Sequence, residues 1–481
     1  MSRLSDLKNY RSWSIQMKAA FWFVCMSMIQ KALSFITVPL FTRVMETEQY
    51  GYYSVYLSWV SILTVLLTLN LDSGAYSNIL GKEKNETTKH TMTISYITLC
   101  FVVTLVSSVF IVIFIRQISA FIGLSYLSIV LMLLEIISLP SIRFWNFQQR
   151  FYYRYKILVI YTLASSFLNI GLGIFFVLNT PPKHQAEGRI LSIAIVNIIA
   201  ALVFYFYFVK KAKQIAVIKA WKTTLQFQLP LIPYYLSMNL LMSSDRIMIQ
   251  RMIGVGEAGI YSVAYSAGQL MTILKQCLMD AVRPWIYEQL NNKRYLMISK
   301  LITYMTFGIM LISVTFSAFA PEIIRLMASK EYYNAIYVIP PVAMSSIFTF
   351  MYQFFSIIEM YYAKTKHIMR NSLWAAMINI ILNTIFIPRF GYLAAGYTTL
   401  ISYICLCIFH FKTINCMKKE LDNQNVFSLK QCLGISFIGI VLSLIMPFFY
   451  KTFIWRYLLI VLIGLLSAFV IKKTIIIKNE D

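Results

Sequence analysis

Two lysines, Lys31 and Lys275, stand deep inside apolar runs at 17–41 and 258–280. An ionised group near the centre of a bilayer costs roughly 2.5–3.5 kcal/mol on insertion scales, so it normally meets water or an opposite charge. Both lysines are therefore cavity candidates. Projected at about 100° per residue, Ser262, Tyr265, Gln269, Thr272, Gln276, Asp280 and Arg283 fall within about one third of a helix circumference. The run at 51–73 carries a counterpart at Ser54, Ser61, Thr64, Thr68 and Asp72, and the first run groups Ser27, Gln30, Lys31 and Ser34. Such stripes offer hydrogen bonds to a polar cargo. Interhelical glue is the commoner role for any single Ser or Thr; ionisable residues are different.

A second tier of ionisable residues comprises Asp245 and Arg246, which point about 100° apart on a helix, and the acids Asp72, Glu135, Asp280 and Glu359 at expected inner ends of their runs. Arg246 joins the cavity candidates, and the five acids are candidates for coupling or gating. For the four inner acids interfacial solvation is as ordinary an explanation as function. No catalytic constellation is present. The histidines at 90, 184, 367 and 410 lack ligand spacing or a companion carboxylate in the sequence, and no phosphate-binding loop occurs. No metal or cofactor is expected, and any transport must draw on an ion gradient, a substrate gradient or a partner.

The elements that hold these residues are legible from composition. Among 481 residues, 59% are hydrophobic and 13% charged, too little polar surface for a soluble chain. Apolar runs of about 20 residues, the length that crosses a bilayer, lie near 17–41, 51–73, 91–115, 118–139, 157–178, 190–209, 227–249, 258–280, 298–320, 335–359, 367–387, 391–411, 431–450 and 454–471. The expected fold is an all-α polytopic membrane protein of about 14 transmembrane helices. The first run lacks a signal-peptide cleavage site and is long enough to span.

A net charge of +24 raises the question of nucleic acid, and its distribution answers it. With a cytoplasmic N-terminus, most Lys and Arg fall on inner segments, as at Lys82, Lys84 and Lys89, at Lys210, Lys211 and Lys213, and at Lys472, Lys473 and Lys478. This is the positive-inside pattern, and a concentrated basic face on a soluble module is missing. Both termini are expected in the cytoplasm. The seven cysteines show no paired spacing and read as small hydrophobes. The longest outer loop, 178–189, is too short for a folded domain.

The chain also repeats itself. EQYGYYSVYLS at 48–58 returns as GEAGIYSVAYS at 256–266, pairing Gly51 with Gly259 and Ser54 with Ser262 at an offset of 208 that also pairs Asp72 with Asp280. Tyr152-Tyr153 recur as Tyr361-Tyr362, and Leu168-Asn169-Ile170 as Ile378-Asn379-Ile380. Two pseudo-symmetric six-helix lobes are expected, at 1–215 and 216–415, with two further helices at 416–481. An even number of spans per copy makes the repeats parallel, an arrangement that commonly places a substrate site between halves.

FITVPLFTRVMETEQYGYYSVY at 35–56, LPLIPYYLSMNLLMSSDRIMIQRMIGVGEAGIYSVAYS at 229–266, KEYYNAIYVIPPV and NIILNTIFIPRFGYLAAGYTTLISY together resemble the polysaccharide exporters of the multidrug/oligosaccharidyl-lipid/polysaccharide superfamily. The resemblance covers essentially the whole chain and implies two lobes, a central cavity and alternating access. It further implies a bacterial cytoplasmic membrane and a cargo of undecaprenyl-diphosphate-linked oligosaccharide for capsule, exopolysaccharide or O-antigen. The implied partners are membrane lipids, the polymerase and glycosyltransferases of the same pathway, and Na+ or H+ as a coupling ion. Lys31, Lys275 and Arg246 would offset the diphosphate charge. The competing readings are a cation-coupled drug exporter or peptidoglycan-precursor flippase of that superfamily, a membrane polymerase, and a structural scaffold. Deep lysines argue against a drug exporter, and short outer loops against a polymerase.

Overall fold

A computed structural model describes residues 13–465 apart from 73–75, 77–79, 81–82, 84 and 463. The basic residues Arg3, Lys8, Arg11, Lys82, Lys84, Lys472, Lys473 and Lys478, and positions 466–471 of the last expected span, lie outside the described residues. Eleven helices among those described are long and apolar enough to cross a membrane. They are α1 (Ile15–Val44), α2 (Thr47–Leu67), α3 (Glu86–Ile113), α5 (Tyr126–Phe151), α6 (Tyr155–Asn179), α7 (Gln185–Lys211), α11 (Tyr295–Ala318), α13 (Ile339–Tyr361), α14 (Thr365–Phe390), α15 (Tyr392–Cys416) and α16 (Leu429–Ile445). The more polar α9 (Ile232–Met252) and α10 (Val255–Asn291), with the apolar α17 (Phe453–Leu462), complete one helix for each expected run. Short helices α4 (Ile115–Ile122), α8 (Ile218–Gln228) and α12 (Ala320–Met327) fill connections.

The outward faces explain why such a chain needs a membrane. On α3, Val102, Val106, Val109, Phe110 and Ile113 are all exposed. Helices satisfy their own backbone hydrogen bonds, so this face is stable against hydrocarbon and unfavourable against water.

Two expectations are corrected. The run at 118–139 is not one helix, because Gly123 closes α4 at φ +73°, a left-handed position that glycine adopts without strain. Ser125 then caps α5, its side chain accepting from Ser128 N, and α5 continues through Pro140 to Phe151. Glu135 is consequently in mid-helix and not at an inner end. The expected outer loop at 178–189 shrinks to 180–184, since α6 runs to Asn179 and α7 starts at Gln185. Arg189, apparently a loop residue, is a buried residue of α7.

The chain forms two compact units, residues 1–259 and 260–481. In the first, α5 packs against α3, α6 and α7, and α7 against α6. In the second, α13 packs against α11, α14 and α15, and α15 against α14. The same pairs recur in the same order, and each unit places a short helix, α4 or α12, before its central one. Recurrent turns accompany this order. Tyr153 (φ 55°) after α5 and Ala363 (φ 55°) after α13 are both left-handed, and Arg154 N and Lys364 N return to the carbonyls of Gln149 and Glu359.

The repeated glycines meet within the first unit. A Cβ on Gly51 would lie 1.9 Å from the Val255 carbonyl oxygen, and one on Gly259 would lie 2.7 Å from that of Thr47. The N-terminal turns of α2 and α10 therefore approach as only glycine allows. Gly51→Ala is expected to destabilise this packing by about 1–3 kcal/mol, the usual cost of overpacking. The check is a lower melting temperature in detergent than for wild type and for Gly171→Ala, whose added Cβ would meet nothing within 4 Å.

In the second unit the α15 to α16 connection is tied down by charge. Asp422 lies 3.1 Å from Lys293 and accepts from Tyr295 Oη at 3.1 Å, while Glu420 lies 3.0 Å from Lys364. Hydrogen bonds from Lys293 and Lys364 hold these two carboxyls below their usual range. A lowered carboxyl contributes stability above its unfolded pKa, about 3.9–4.3, and loses it as pH falls through the lower folded value. Amide protection across 417–428, corrected for intrinsic exchange, is expected to fall between pH 6 and pH 3. Equal protection at both would rule out the clamp.

Candidate functional site

Polarity and exposure coincide on one face of α10. Gln269, Thr272, Asp280 and Arg283 are exposed and Gln276 is partly so, its Nε2 donating to Asp280 Oδ1 at 2.9 Å one turn on. Asp280 lies well inside the helix, which extends to Asn291. The exposed faces of α3 are apolar, as lipid requires, whereas this one presents amides, a hydroxyl and ionised groups, which require water or a polar cargo. At the start of the same stripe, Ser262 is buried.

Lys275 lies to one side of that face. It is buried and donates to Thr349 Oγ1 of α13, and Thr349 donates in turn to Ser346 O. Lys31, near the middle of α1, is partly exposed, as is Ser27 one turn before it. Arg246 donates to Met242 O at 3.2 Å, while Asp245 is buried.

The α2 stripe differs from its α10 counterpart. Ser54, Thr64 and Thr68 are buried, and Thr68 donates to Thr64 O at 2.7 Å, so these residues face packed neighbours. Ser61 donates to Asn239 Oδ1 of α9 at 2.6 Å, an interhelical bond. Asp72, past the end of α2, lies 3.8 Å from Arg143. Thr64 Oγ1 is buried without a hydrogen-bond partner among the described residues.

Two buried ionic clusters lie in the spans. In the first unit, Glu135 accepts from Tyr56 Oη at 2.7 Å and from Asn197 Nδ2 at 3.4 Å. Nearby, Arg189 Nη1 donates to Asn169 Oδ1 at 2.7 Å and to Ser192 Oγ at 3.0 Å, with its guanidinium 4.3 Å from the Phe41 ring centroid. A buried arginine so placed has hydrogen-bond acceptors at Nη1 and an aromatic ring against its plane.

In the second unit, His410 Nδ1 lies 2.9 and 3.0 Å from the two carboxylate oxygens of Glu359. Both side chains are wholly buried, so Glu359 is shielded from interfacial water. The Tyr352 ring stacks on the imidazole, centroids 5.8 Å apart, and His410 Nε2 has no partner among the described residues.

Sequence reasoning missed Arg189 and His410 as functional candidates. His410 is 51 residues from Glu359, and their meeting depends on the packing of α13 against α15. A signal for Arg189 did exist. Asn169 and Asn379 already matched as an echo, and each reaches a residue 20 positions on, Arg189 in one case and Thr399 in the other.

Comparison with known proteins agrees with this architecture. The sequence pattern of a polysaccharide biosynthesis protein family matches residues 17–288. A protein of the Lsg locus of Haemophilus influenzae is 29% identical over 133 residues, 27% of this chain and 33% of that relative, so the similarity spans only a third of the relative's length. The structure of the lipid II flippase MurJ in an inward closed conformation aligns with a TM-score of 0.69 at 16% identity, covering 94% of this chain and 99% of its own. An inward-facing multidrug resistance MATE family transporter of the MOP superfamily aligns with a TM-score of 0.60 at 13% identity, covering 82% of this chain and 99% of its own. At these identities the likeness establishes a shared fold.

Proposed function

Because the chain belongs to the polysaccharide biosynthesis protein family, we propose that it is a flippase carrying undecaprenyl-diphosphate-linked oligosaccharide repeat units from the inner to the outer leaflet of a bacterial cytoplasmic membrane. The observation that carries this reading is the exposed polar face of α10, from Gln269 to Arg283. Amides and hydroxyls there match sugar hydroxyls. Arg283 on that face supplies positive charge for a diphosphate. Capsule, exopolysaccharide and O-antigen assembly are the pathways such a cargo serves, with polymerase and glycosyltransferases as neighbours.

Movement by alternating access between two six-helix lobes, with both termini cytoplasmic, fits the repeated helix order and the charge pattern. Glu359, Glu135, Asp72, Asp245 and Asp280 are the groups through which Na+ or H+ would act. Buried ionisable groups are expensive inside a membrane and mark functional sites by default, which favours Glu359, Glu135 and Asp245.

Proteoliposomes containing the protein and a fluorescent undecaprenyl-diphosphate-linked oligosaccharide test this directly. The expected result is protein-dependent loss of protection from a membrane-impermeant glycosidase. Transport of small cationic drugs with no movement of the lipid-linked sugar would replace the proposal with the drug-exporter reading, and sugar polymerisation by the purified protein would replace it with an enzyme.

A further inference from the structure

Helices α14 and α15 run antiparallel from the turn at Gly391, so the start of one lies beside the end of the other. Between those ends is an open groove of about 290 Å³. It is lined at helical spacing by positions 367, 370, 371 and 374 of α14 and by positions 409, 412, 413 and 416 of α15. Arg370 and Lys412 bring two positive charges, and the lining contains no acid. The two walls are joined by a hydrogen bond, Asn371 Nδ2 donating to Thr413 Oγ1 at 3.0 Å across the helix pair. Arg370 Nη2 lies 3.1 Å from His367 Nδ1.

An apolar track leads away from this cationic end. Trp374, at the groove edge, begins a series with Met377, Ile381 and Ile385 along one side of α14, all exposed. These positions recur every three or four residues and so share a face. Ile408 of α15 is exposed as well. The arrangement is amphipathic in the sense of a lipid, with two cations and an interfacial tryptophan at one end and acyl-compatible surface along the span.

We propose that this groove is a binding site for an anionic glycerophospholipid, with the phosphodiester between Arg370 and Lys412 and the acyl chains along Trp374, Met377 and Ile381. Its volume, at the lower bound of ordinary ligand pockets of about 300–1,000 Å³, admits a phosphodiester headgroup. The ligand proposed is a resident lipid, distinct from the transported cargo. Guanidinium and ammonium groups give charge-assisted hydrogen bonds to phosphate oxygens.

Native mass spectrometry of the full-length protein, released from detergent in the presence of either phosphatidylglycerol or phosphatidylcholine, tests the proposal. Wild type is expected to retain phosphatidylglycerol at least fivefold more than phosphatidylcholine. Arg370→Gln with Lys412→Gln is expected to abolish that preference, whereas Lys366→Gln, an exposed lysine outside the groove, leaves it intact. Both substituted groups are exposed, and an unchanged melting temperature confirms that the double variant is folded. Three results overturn the site. They are undiminished preference in the double variant, displacement of the lipid by millimolar glycerol phosphate, which would show that the acyl track contributes nothing, and tighter retention of undecaprenyl diphosphate than of phosphatidylglycerol, which would make the groove a cargo site.

Discussion

Glu359→Gln is expected to leave the protein folded and to reduce transport at least tenfold. Glutamine keeps the shape of the side chain and a hydrogen bond to His410 Nδ1, while removing a carboxylate that sits 2.9 Å from an imidazole with both groups fully buried. If that pair takes up and releases a proton during transport, the neutral amide stops the cycle without disturbing the packing. The Tyr352 ring stacks on His410, and Tyr403 stacks on Tyr352.

The companion variants separate coupling from architecture. His410→Ala is expected to cost about 1–3 kcal/mol of stability, because it leaves the buried Glu359 carboxyl without its hydrogen-bond partner. Replacing both residues by leucine is expected to return stability close to that of wild type, since a buried pair exchanged for packed apolar groups is often neutral. The double-leucine protein should nonetheless remain inactive. Melting temperature in detergent and sugar translocation in proteoliposomes read the two quantities independently. A Glu359→Gln protein that translocates at the wild-type rate would remove the pair from the mechanism.

The second large effect concerns α10. Leucine at Gln269, Gln276 and Asp280 together should reduce translocation at least tenfold, about 1.4 kcal/mol of transition-state stabilisation. Sugar hydroxyls passing an apolar surface would lose the hydrogen bonds they make in water and find none in exchange, at about 1–3 kcal/mol for each buried group left unpaired. Stability should scarcely change, since these side chains are exposed or partly exposed and Gln276 bonds to its own helix neighbour Asp280. Undiminished translocation by a well-folded triple variant would show that the cargo does not travel along this face.

These two sites were unequally legible. The α10 stripe could be read from residues alone, because a 3.6-residue period and apolar flanks determine which side chains share a face. Its α2 counterpart has the same period but a different fate, with Ser54, Thr64 and Thr68 buried. Periodicity reports which residues align, not what packs over them. Lys275 illustrates the same limit, since its depth was evident and its burial beside Thr349 depends on α13, some 70 residues along the chain.

The sequence by itself determined that the chain crosses a membrane about fourteen times as helices, that it is built from a repeated unit, and that Gly51 and Gly259 occupy equivalent places. Hydropathy, run length and a constant offset are one-dimensional properties, and a bilayer converts them almost directly into structure because only self-satisfied helices are stable there. Only the tertiary structure decided that the two glycines touch, that Glu359 finds His410, that Arg189 leaves an apparent loop for the interior, and that Arg370 and Lys412 flank one groove. Each of these joins residues from different helices, and the contact exists only once side chains distant in sequence have settled which faces pack together.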